Sequence, residues 1–162
     1  MKLNLGCGND YREGWVNADL YAPKVDMRFD AEKAPFPIES NSVDEVYCAQ
    51  VLEHLRYPEV AMMEMYRIMK SGAIATLIVP HYTTAGDHNF RHHSHFATCA
   101  IHDFTEGNEA QNEVAIQNQG SFKLISAVRK MRGLHINVGG WKGKYLFDFI
   151  PIWDSIIWKV KK

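Results

Sequence analysis

The sequence predicts a single α/β domain, built on a mostly parallel, doubly wound sheet with helices on both faces. Three observations predict this fold. Short apolar or β-branched runs recur along the first half of the chain, each followed by polar or turn residues. An amphipathic helix lies among these runs, and the run at residues 74–79 is apolar throughout, as in strands buried on both faces. Strands interleaved with a helix favour a parallel sheet that helices cover.

The first half of the chain contains most of the predicted elements. Besides the apolar run, strands are expected at residues 2–5, 15–19, 25–29 and 43–48. The span from Gly6 to Asp19 is too short for a full helix between the first two strands, so the first helix is shortened. A helix is predicted over residues 58–70, with Pro58 in its first turn and Gly72 as its stop signal.

The second half is less regular. Residues 80–113 form a polar, histidine-rich stretch, here named the lid segment because loops of this length are usually lids or binding elements. A strand is expected at residues 122–131. The C-terminal segment, residues 143–162, is amphipathic and is predicted to contain a short helix. The apolar face of that helix would carry Trp153, Ile156, Ile157 and Val160.

Composition excludes several classes of protein. With 162 residues, 46% hydrophobic and 23% charged, the chain has enough apolar material for one core and too little charge for a disordered chain. No apolar run reaches the roughly 18 residues that span a bilayer, and no secretory leader is evident. Cys7, Cys48 and Cys99 are widely spaced and odd in number, which fits a reducing compartment. A cytoplasmic location is therefore expected.

Charge is divided unevenly along the chain. Residues 1–119 carry nine Lys and Arg against seventeen Asp and Glu, whereas residues 120–162 carry nine against two. The basic tail can face an anionic partner such as a phosphate-bearing substrate or an acidic lipid surface, or it can simply solvate the surface. The sequence carries no strong signal for nucleic-acid binding.

The strongest chemical signal is a glycine turn followed by two acids. Residues 6–9 directly follow the first strand, Asp19 ends the second, and Asp30 follows the third. A bare turn lets backbone N–H groups approach a ligand, and the first acid can accept hydrogen bonds from ribose hydroxyls. The second acid can hold an adenine amino group. Together they predict an adenosine-shaped slot. A nicotinamide dinucleotide is disfavoured because its GxGxxG pattern fails at Tyr11.

These residues resemble a known family, the class I S-adenosylmethionine (SAM)-dependent methyltransferases, and particularly a small group with LNLGCGN openings. The resemblance covers the first half of the chain, through segments at residues 6–9, 17–20, 29–31, 35–37, 43–47, 51–55 and 69–72. It implies a Rossmann-like fold, SAM as the cofactor and methyl transfer as the activity. Asp10 departs from the family pattern, because it stands where the third glycine of GxGxG would be.

The resemblance also implies which residues contact SAM. All of them follow predicted strands: Gly6, Cys7, Gly8, Asn9, Asp19, Leu20, Asp30, Ala31, Ala49, Gln50 and His54. The glycine turn would line the methionine part of SAM, Asp19 would bind the ribose, and Asp30 with Ala31 would border the adenine.

His81 is the predicted catalytic residue. Methyl transfer from a sulfonium is a direct displacement with a good leaving group, so the protein contributes mainly alignment and exclusion of water. If the acceptor is a hydroxyl or a protonated amine, a base must take its proton, and histidine has a suitable pKa of about 6.5. His81 directly follows the buried strand, so it is predicted to be this base or to position the acceptor. The alternative is that it caps the strand end.

Six of the eight histidines fall between residues 81 and 102, and this density raises the question of a metal. His88, His92 and His95 have spacings that a helical turn can bring together. The segment lacks helical regularity and a well-placed Cys or acid, so contact with the substrate is preferred and no metal ligand is assigned.

Two alternatives stay open. The C-terminal segment, with Trp158 and closing lysines, has the composition of a membrane-surface element, but docking on its own sheet or in a homodimer is preferred. The predicted function is SAM-dependent methyl transfer to an oxygen or nitrogen of a small or anionic acceptor. The rival is a non-catalytic adenosine- or metal-binding module of the same fold.

Overall fold

The computed structural model describes residues 1–84, 87–105, 121–131, 134–137 and 155–162. The strands in this part of the chain are β1 (Lys2–Leu5), β2 (Val16–Ala18), β3 (Val43–Ala49), β4 (Met69–Pro80), β5 (Lys123–Met131), β6 (Leu134–Asn137) and β7 (Ser155–Lys161). They are accompanied by the α-helix α1 (Pro58–Ile68) and by two 3₁₀ helices, η1 (Leu52–His54) and η2 (Thr98–Phe104). No helix among these residues is both long enough and apolar enough to cross a membrane.

The strands form one sheet in the order β2-β1-β3-β4-β7-β5-β6. Strands β1 to β4 pair in parallel, whereas β7 runs antiparallel to both of its neighbours, β4 and β5. Five of the seven described strands, β1 to β5, therefore point the same way. The prediction of an α/β fold with a mostly parallel sheet is confirmed. Turns alone join β1 to β2, in keeping with a span too short for a full helix.

Helix α1 begins at Pro58, as predicted, and buries Ala61, Met62, Met65 and Ile68. Proline is suited to the first turn because its missing N–H has no partner there in any case. The predicted end of the helix is wrong. The chain extends at Met69, where β4 starts, and Gly72 lies inside that strand with a φ of +83°.

The strand predicted at residues 25–29 is reduced to one parallel bridge between Ala18 and Met27. The side chain of Asp26 explains the interruption. Its Oδ2 accepts the backbone N–H of Asn17 at 2.8 Å. In a continuous pair of strands, that N–H would donate to a backbone carbonyl oxygen instead. The edge of the sheet beside β2 is therefore irregular.

The predicted C-terminal helix is wrong: residues 155–161 are the strand β7, inserted between β4 and β5. Ile156, Trp158 and Val160 are all 1% exposed or less and alternate with more exposed positions. This is the period of two of a strand, which the helical interpretation overlooked. Residues 155–161 therefore dock on the chain's own sheet, which was one of the preferred alternatives. The rest of the segment, residues 143–154, lies outside the described residues.

Arg67 ties the end of α1 to the preceding loop through Glu64. The two side chains form a fork, with Arg67 Nε and Nη2 donating to Glu64 Oε1 and Oε2 at 2.8 and 2.7 Å. Phe36 N–H also donates to Glu64 at 2.6 Å. Burial raises the pKa of Glu64, but hydrogen bonds from Arg67 and Phe36 and the charge of Arg67 outweigh it, so the net pKa lies below its usual value.

Glu64 is therefore expected to make stability pH-dependent in acid. Because its pKa is lower in the folded state than the ordinary 4.5, its contribution is present above pH 4.5 and is lost as the pH falls through the folded-state pKa. Urea denaturation between pH 3 and 7 should show a steeper loss for the wild type than for Glu64→Gln. At pH 7 this variant should cost about 1–3 kcal/mol. Glu39→Gln, at an exposed position, is the control. Parallel pH curves for wild type and Glu64→Gln would contradict the assignment.

Candidate active site

The carboxyl ends of the four parallel strands meet at one edge of the sheet, here named the carboxyl edge. Gly6, Asp19, Gln50 and His81 directly follow β1, β2, β3 and β4. The register aligns these ends, because Leu5 lies opposite both Ala18 and Cys48, and Ala49 lies opposite Ile78. In sheets of this type ligands bind beyond the carboxyl ends of the strands. The structure thus brings the principal predicted residues to the place where a ligand is expected.

The glycine turn at this edge is tight and needs glycine. Gly6 has a φ of +66° and Gly8 a φ of +50°. The N–H groups of Gly6 and Cys7 both donate to the carbonyl oxygen of Ala18, at 2.7 and 3.0 Å. A Cβ atom at Gly6 would lie 2.2 Å from Val51 Cγ2, whereas one at Gly8 would meet nothing within 4 Å. The first glycine therefore allows close packing, and the second leaves open space in front of the backbone.

Asp19 lies against this turn. Its Oδ2 accepts the N–H of Gly8 at 2.9 Å, and its Oδ1 accepts the N–H groups of Tyr21 and Ala22 at 2.7 and 2.9 Å. Burial raises the Asp19 pKa, but these three hydrogen bonds, with the charge of Arg28, bring it below its usual value, so the group is ionised. Each carboxylate oxygen has about two acceptor positions. Oδ2 thus keeps one for a ligand hydroxyl, whereas the sequence suggested acceptance from both ribose hydroxyls.

A buried amide pair supports the turn, and the sequence analysis missed it. Asn4 Nδ2 donates to the carbonyl oxygen of Asp10 at 2.7 Å and to Asn17 Oδ1 at 3.0 Å. Asn17 in turn accepts the N–H of Arg12 at 2.8 Å and donates to Asp26 Oδ2 at 2.9 Å. These contacts hold the connection between β1 and β2 without a helix. The sequence did contain a signal for this pair. Each of the strands β1 and β2 carries an asparagine at an inward-facing position, where a buried amide needs a hydrogen-bond partner.

The predicted adenine-bordering residues sit apart from this network. Asp30 accepts the N–H of Glu32 at 3.0 Å and pairs with Lys33 at 3.1 Å. The pKa of Asp30 is lowered, and the largest cause is the hydrogen bond from the Glu32 N–H. Ala31 and Leu20 are half-buried. No hydrogen bond joins Asp30 to Asp19 among the described residues, so the two acids are held separately. Asn9, the last residue of the glycine motif, is exposed.

The end of β3 has an unusual backbone. Gln50 is exposed and has a φ of +56°, a conformation that costs a non-glycine residue about 1–2 kcal/mol. Its N–H donates to the carbonyl oxygen of Ile78 at 2.8 Å, which holds the bend in place. Ala49 before it is half-buried, and Val51 after it touches the glycine turn. Such strain is typical of functional edges. His54, four residues on, is exposed and faces the lid segment instead.

Cys7 packs rather than reacts. The side chain is 4% exposed, and burial followed by the charge of Asp19 raises the pKa of its thiol. A thiol with a raised pKa is a poor nucleophile. Cys7, Cys48 and Cys99 are all free cysteines.

His81 is fully buried at the end of β4. Its Nδ1 lies 2.8 Å from Thr83 Oγ1 and accepts the Thr83 N–H at 3.3 Å. Its ring lies 4.8 Å from that of Tyr82. These contacts are those of a strand-end cap, the alternative stated from the sequence. A role as base or acceptor-positioning residue requires the segment that covers His81 to move, and it stays a prediction.

The lid segment is described at residues 80–84 and 87–105, whereas residues 106–113 lie outside the described residues. It returns to the sheet where Phe96 forms a bridge with His81 and accepts the N–H of Tyr82 at 2.9 Å. Trp158 Nε1 then donates to the carbonyl oxygen of Thr98 at 3.1 Å. The lid segment is therefore anchored to β4 and β7, beside the carboxyl edge.

The basic tail is divided between the two ends of the sheet. Lys161 lies opposite Ile74 and Lys123, toward the amino end of β4, and Lys162 binds the carbonyl oxygen of Met69 at 2.8 Å. Lys130 pairs with Ser155, which lies opposite Pro80 at the carboxyl edge. The closing lysines thus face away from the candidate site.

Residues 7–77 match the family model described as a methyltransferase domain. No curated protein sequence is significantly similar to the chain. Among solved structures, a SAM-dependent methyltransferase of Thermotoga maritima has a TM-score of 0.65 at 12% identity, with 99% of this chain and 81% of that chain covered. One from Archaeoglobus fulgidus has a TM-score of 0.61 at 13% identity, with 99% and 85% covered. The [4+2]-cyclase SpnF has a TM-score of 0.61 at 14% identity, with 99% and 73% covered.

At these low identities the structural similarity shows that the fold is shared. The cyclase illustrates that one fold hosts different reactions. The family match covers part of the glycine turn, Asp19 and the strand end at Gln50. The match over residues 7–77 and the shared fold together support a class I SAM-dependent methyltransferase with SAM as its cofactor.

Proposed function

We propose that this protein is a SAM-dependent methyltransferase and transfers the methyl group to an oxygen or nitrogen atom of a small, anionic acceptor. The observation that carries the cofactor half of the proposal is the 2.9 Å hydrogen bond between Gly8 N–H and Asp19 Oδ2. It joins an open turn without side chains to an ionised acid, and such a cradle suits a purine nucleoside whose attached chain carries no phosphate. SAM supplies an activated methyl group on a sulfonium.

The residues of the chain would act by alignment. Gly8 leaves room for the methionine part of SAM, Gly6 lets the turn pack closely against Val51, and Asp19 offers one acceptor position to a ribose hydroxyl. The lid segment, which returns beside the carboxyl edge, would exclude water from the reacting atoms. His81 would take the proton of the acceptor or orient it once the covering residues move.

The anionic character of the acceptor is proposed mainly from the lid segment. Arg91, His88 and His93 have exposed side chains in the described part of the lid segment. Guanidinium and imidazole groups are suited to carboxylate or phosphate recognition. Lys130 lies at the same end of the sheet. These exposed arginine, histidine and lysine side chains toward the carboxyl edge favour an acceptor that carries negative charge.

A cytoplasmic site of action is part of the proposal. Its support is the set of three free cysteines, two of them buried, which a reducing compartment keeps as thiols.

Asp19→Ala is expected to weaken SAM binding about five- to 150-fold, since an unpaired ribose contact costs about 1–3 kcal/mol. Isothermal titration with SAM and with S-adenosylhomocysteine measures the loss. Asp44→Ala is the matched control, because it also removes a carboxylate but lies in the first half of β3. This variant should bind SAM like the wild type. If Asp19→Ala and Asp44→Ala bind SAM equally well, Asp19 is not the ribose ligand.

The acceptor can be found by a screen that measures S-adenosylhomocysteine formation. Phosphorylated and carboxylated small molecules are expected to give turnover, and their uncharged analogues much less. Arg91→Ala should raise KM for a charged acceptor without changing the affinity for SAM. Turnover of neutral acceptors alone would overturn the anionic part of the proposal.

A further inference from the structure

The lid segment and η1 together enclose two buried carboxylates among histidines. Glu53 belongs to η1, and Asp87 belongs to the lid segment; both are fully buried. The backbone holds the two elements together, because the N–H groups of His93 and Ser94 donate to the carbonyl oxygen of Glu53 at 2.8 and 3.1 Å. Ser94 Oγ also donates to the carbonyl oxygen of Leu55 at 3.0 Å. The cluster is therefore a fixed feature of the fold.

Three of its side chains can converge on one point. Glu53, His54 and His92 each offer a ligand atom, and these atoms all lie within 4.8 Å of one another. The rings of His54 and His92 meet edge to face, with centroids 4.7 Å apart. A tetrahedral Zn²⁺ with bonds of about 2.0–2.2 Å would draw the ligand atoms to about 3.4 Å from each other. Rotation of the exposed His54 side chain can provide part of this adjustment.

The hydrogen bonds of the two imidazoles orient them for a cation. His54 Nδ1 lies 3.2 Å from the carbonyl oxygen of Arg91, and His92 Nδ1 lies 3.1 Å from that of Asp87. A carbonyl oxygen only accepts, so each Nδ1 must carry the proton and each Nε2 keeps a free lone pair. Metal-ligating histidines nearly always donate their other ring N–H to a carbonyl or carboxylate in this way.

Glu53 supplies the independent observation that points to a ligand. It is fully buried, and neither of its carboxylate oxygens has a hydrogen-bond partner among the described residues. Asp87 Oδ1 is likewise unpartnered there, although its Oδ2 lies 2.6 Å from His95 Nδ1. A buried carboxylate without a partner is costly unless a proton or a cation compensates it.

We propose that Glu53, His54 and His92 bind a divalent transition-metal ion between η1 and the lid segment, and that Zn²⁺ serves as its probe. Two imidazoles with one carboxylate suit Zn²⁺ and its neighbours rather than Mg²⁺ or Ca²⁺, which prefer oxygen ligands. Three protein ligands leave one position of a tetrahedral ion open for water or a ligand group. The ion would connect the lid segment to the element that follows β3 and would offset the charge of the two carboxylates.

The test is isothermal titration of the full, chelator-treated chain with ZnCl₂ and, separately, with MgCl₂. One Zn²⁺ per chain is expected, with no measurable Mg²⁺ binding. Glu53→Gln and His92→Ala should weaken Zn²⁺ binding by at least about 10- to 100-fold. His54→Ala, at an exposed position, should do the same and keeps the test decisive if a buried variant fails to fold. His93→Ala is the matched control, because its side chain is exposed and the cluster uses only its backbone N–H.

The alternative is that Glu53 is compensated by a proton alone. Absence of Zn²⁺ uptake by the wild type would establish that alternative and overturn the proposal. An affinity lost equally in His54→Ala and His93→Ala would also overturn it, because Zn²⁺ would then be bound by surface histidines. The titration contains neither SAM nor an acceptor, so its failure and a failure of the proposed function are distinguishable.

Discussion

Gly6→Ala is expected to lower the free energy of unfolding by about 2–5 kcal/mol and to abolish measurable SAM binding. The new Cβ would lie 2.2 Å from Val51 Cγ2, and overpacking of this kind costs about 1–3 kcal/mol. The φ of +66° adds about 1–2 kcal/mol, because a left-handed conformation crowds any Cβ. Relief of the contact would push the turn away from Asp19, so the cradle would lose its shape. Urea denaturation and titration with SAM measure the two effects.

Two further variants separate the causes. Gly14→Ala shares a positive φ of +78° but meets nothing within 4 Å, so it should lose only the conformational part, about 1–2 kcal/mol, and keep SAM binding. Adding Val51→Ala to Gly6→Ala should recover the overpacking part of the loss. If Gly6→Ala is no less stable than Gly14→Ala, the close approach of the turn to Val51 is not a constraint.

Trp158→Ala is expected to destabilise the protein by about 3–5 kcal/mol, the usual cost of deleting a buried aromatic side chain. Trp158 is 1% exposed, contacts Phe96 edge to face at 5.9 Å between centroids, and donates to the Thr98 carbonyl. Its removal should therefore also loosen the lid segment. Hydrogen exchange of the amides in η2 would report this loosening, and urea denaturation would report the loss of stability.

The milder Trp158→Phe keeps most of the buried area and removes the hydrogen bond, so about 1–2 kcal/mol should be lost. Ile157→Ala, at a half-buried position on the other face of β7, should cost less than Trp158→Ala. A membrane-surface helix would behave differently, since removal of its tryptophan would leave the free energy of unfolding in water almost unchanged. Such a result would contradict the central position of β7.

The carboxyl edge could be predicted from the sequence because its signals are local. Each of Gly6, Asp19, Gln50 and His81 directly follows an apolar or β-branched run, and parallel strands bring their ends together. What each side chain does there was less accessible. The burial of His81 depends on Thr83 and on the return of Phe96, fifteen residues later, and no spacing rule encodes that contact.

The errors share one cause. Residues 155–161 satisfy both a helical and a strand pattern, and the pairing with β4 and β5 selects the strand. At residues 25–29 the propensity for a strand is genuine, but the side chain of Asp26 competes for the N–H of Asn17. In both places a contact with another segment of the chain, and not the local pattern, decides the structure.

The sequence by itself determined the strands β1 to β4, the start of α1, the glycine turn and the acid that ends β2, because each depends on neighbouring residues and on the steric freedom of glycine. Only the tertiary structure decided that the last strand enters the middle of the sheet and that Glu53 and His92 face each other. Those features depend on contacts between segments that lie far apart in the chain, where the free energy of burial outweighs local preference.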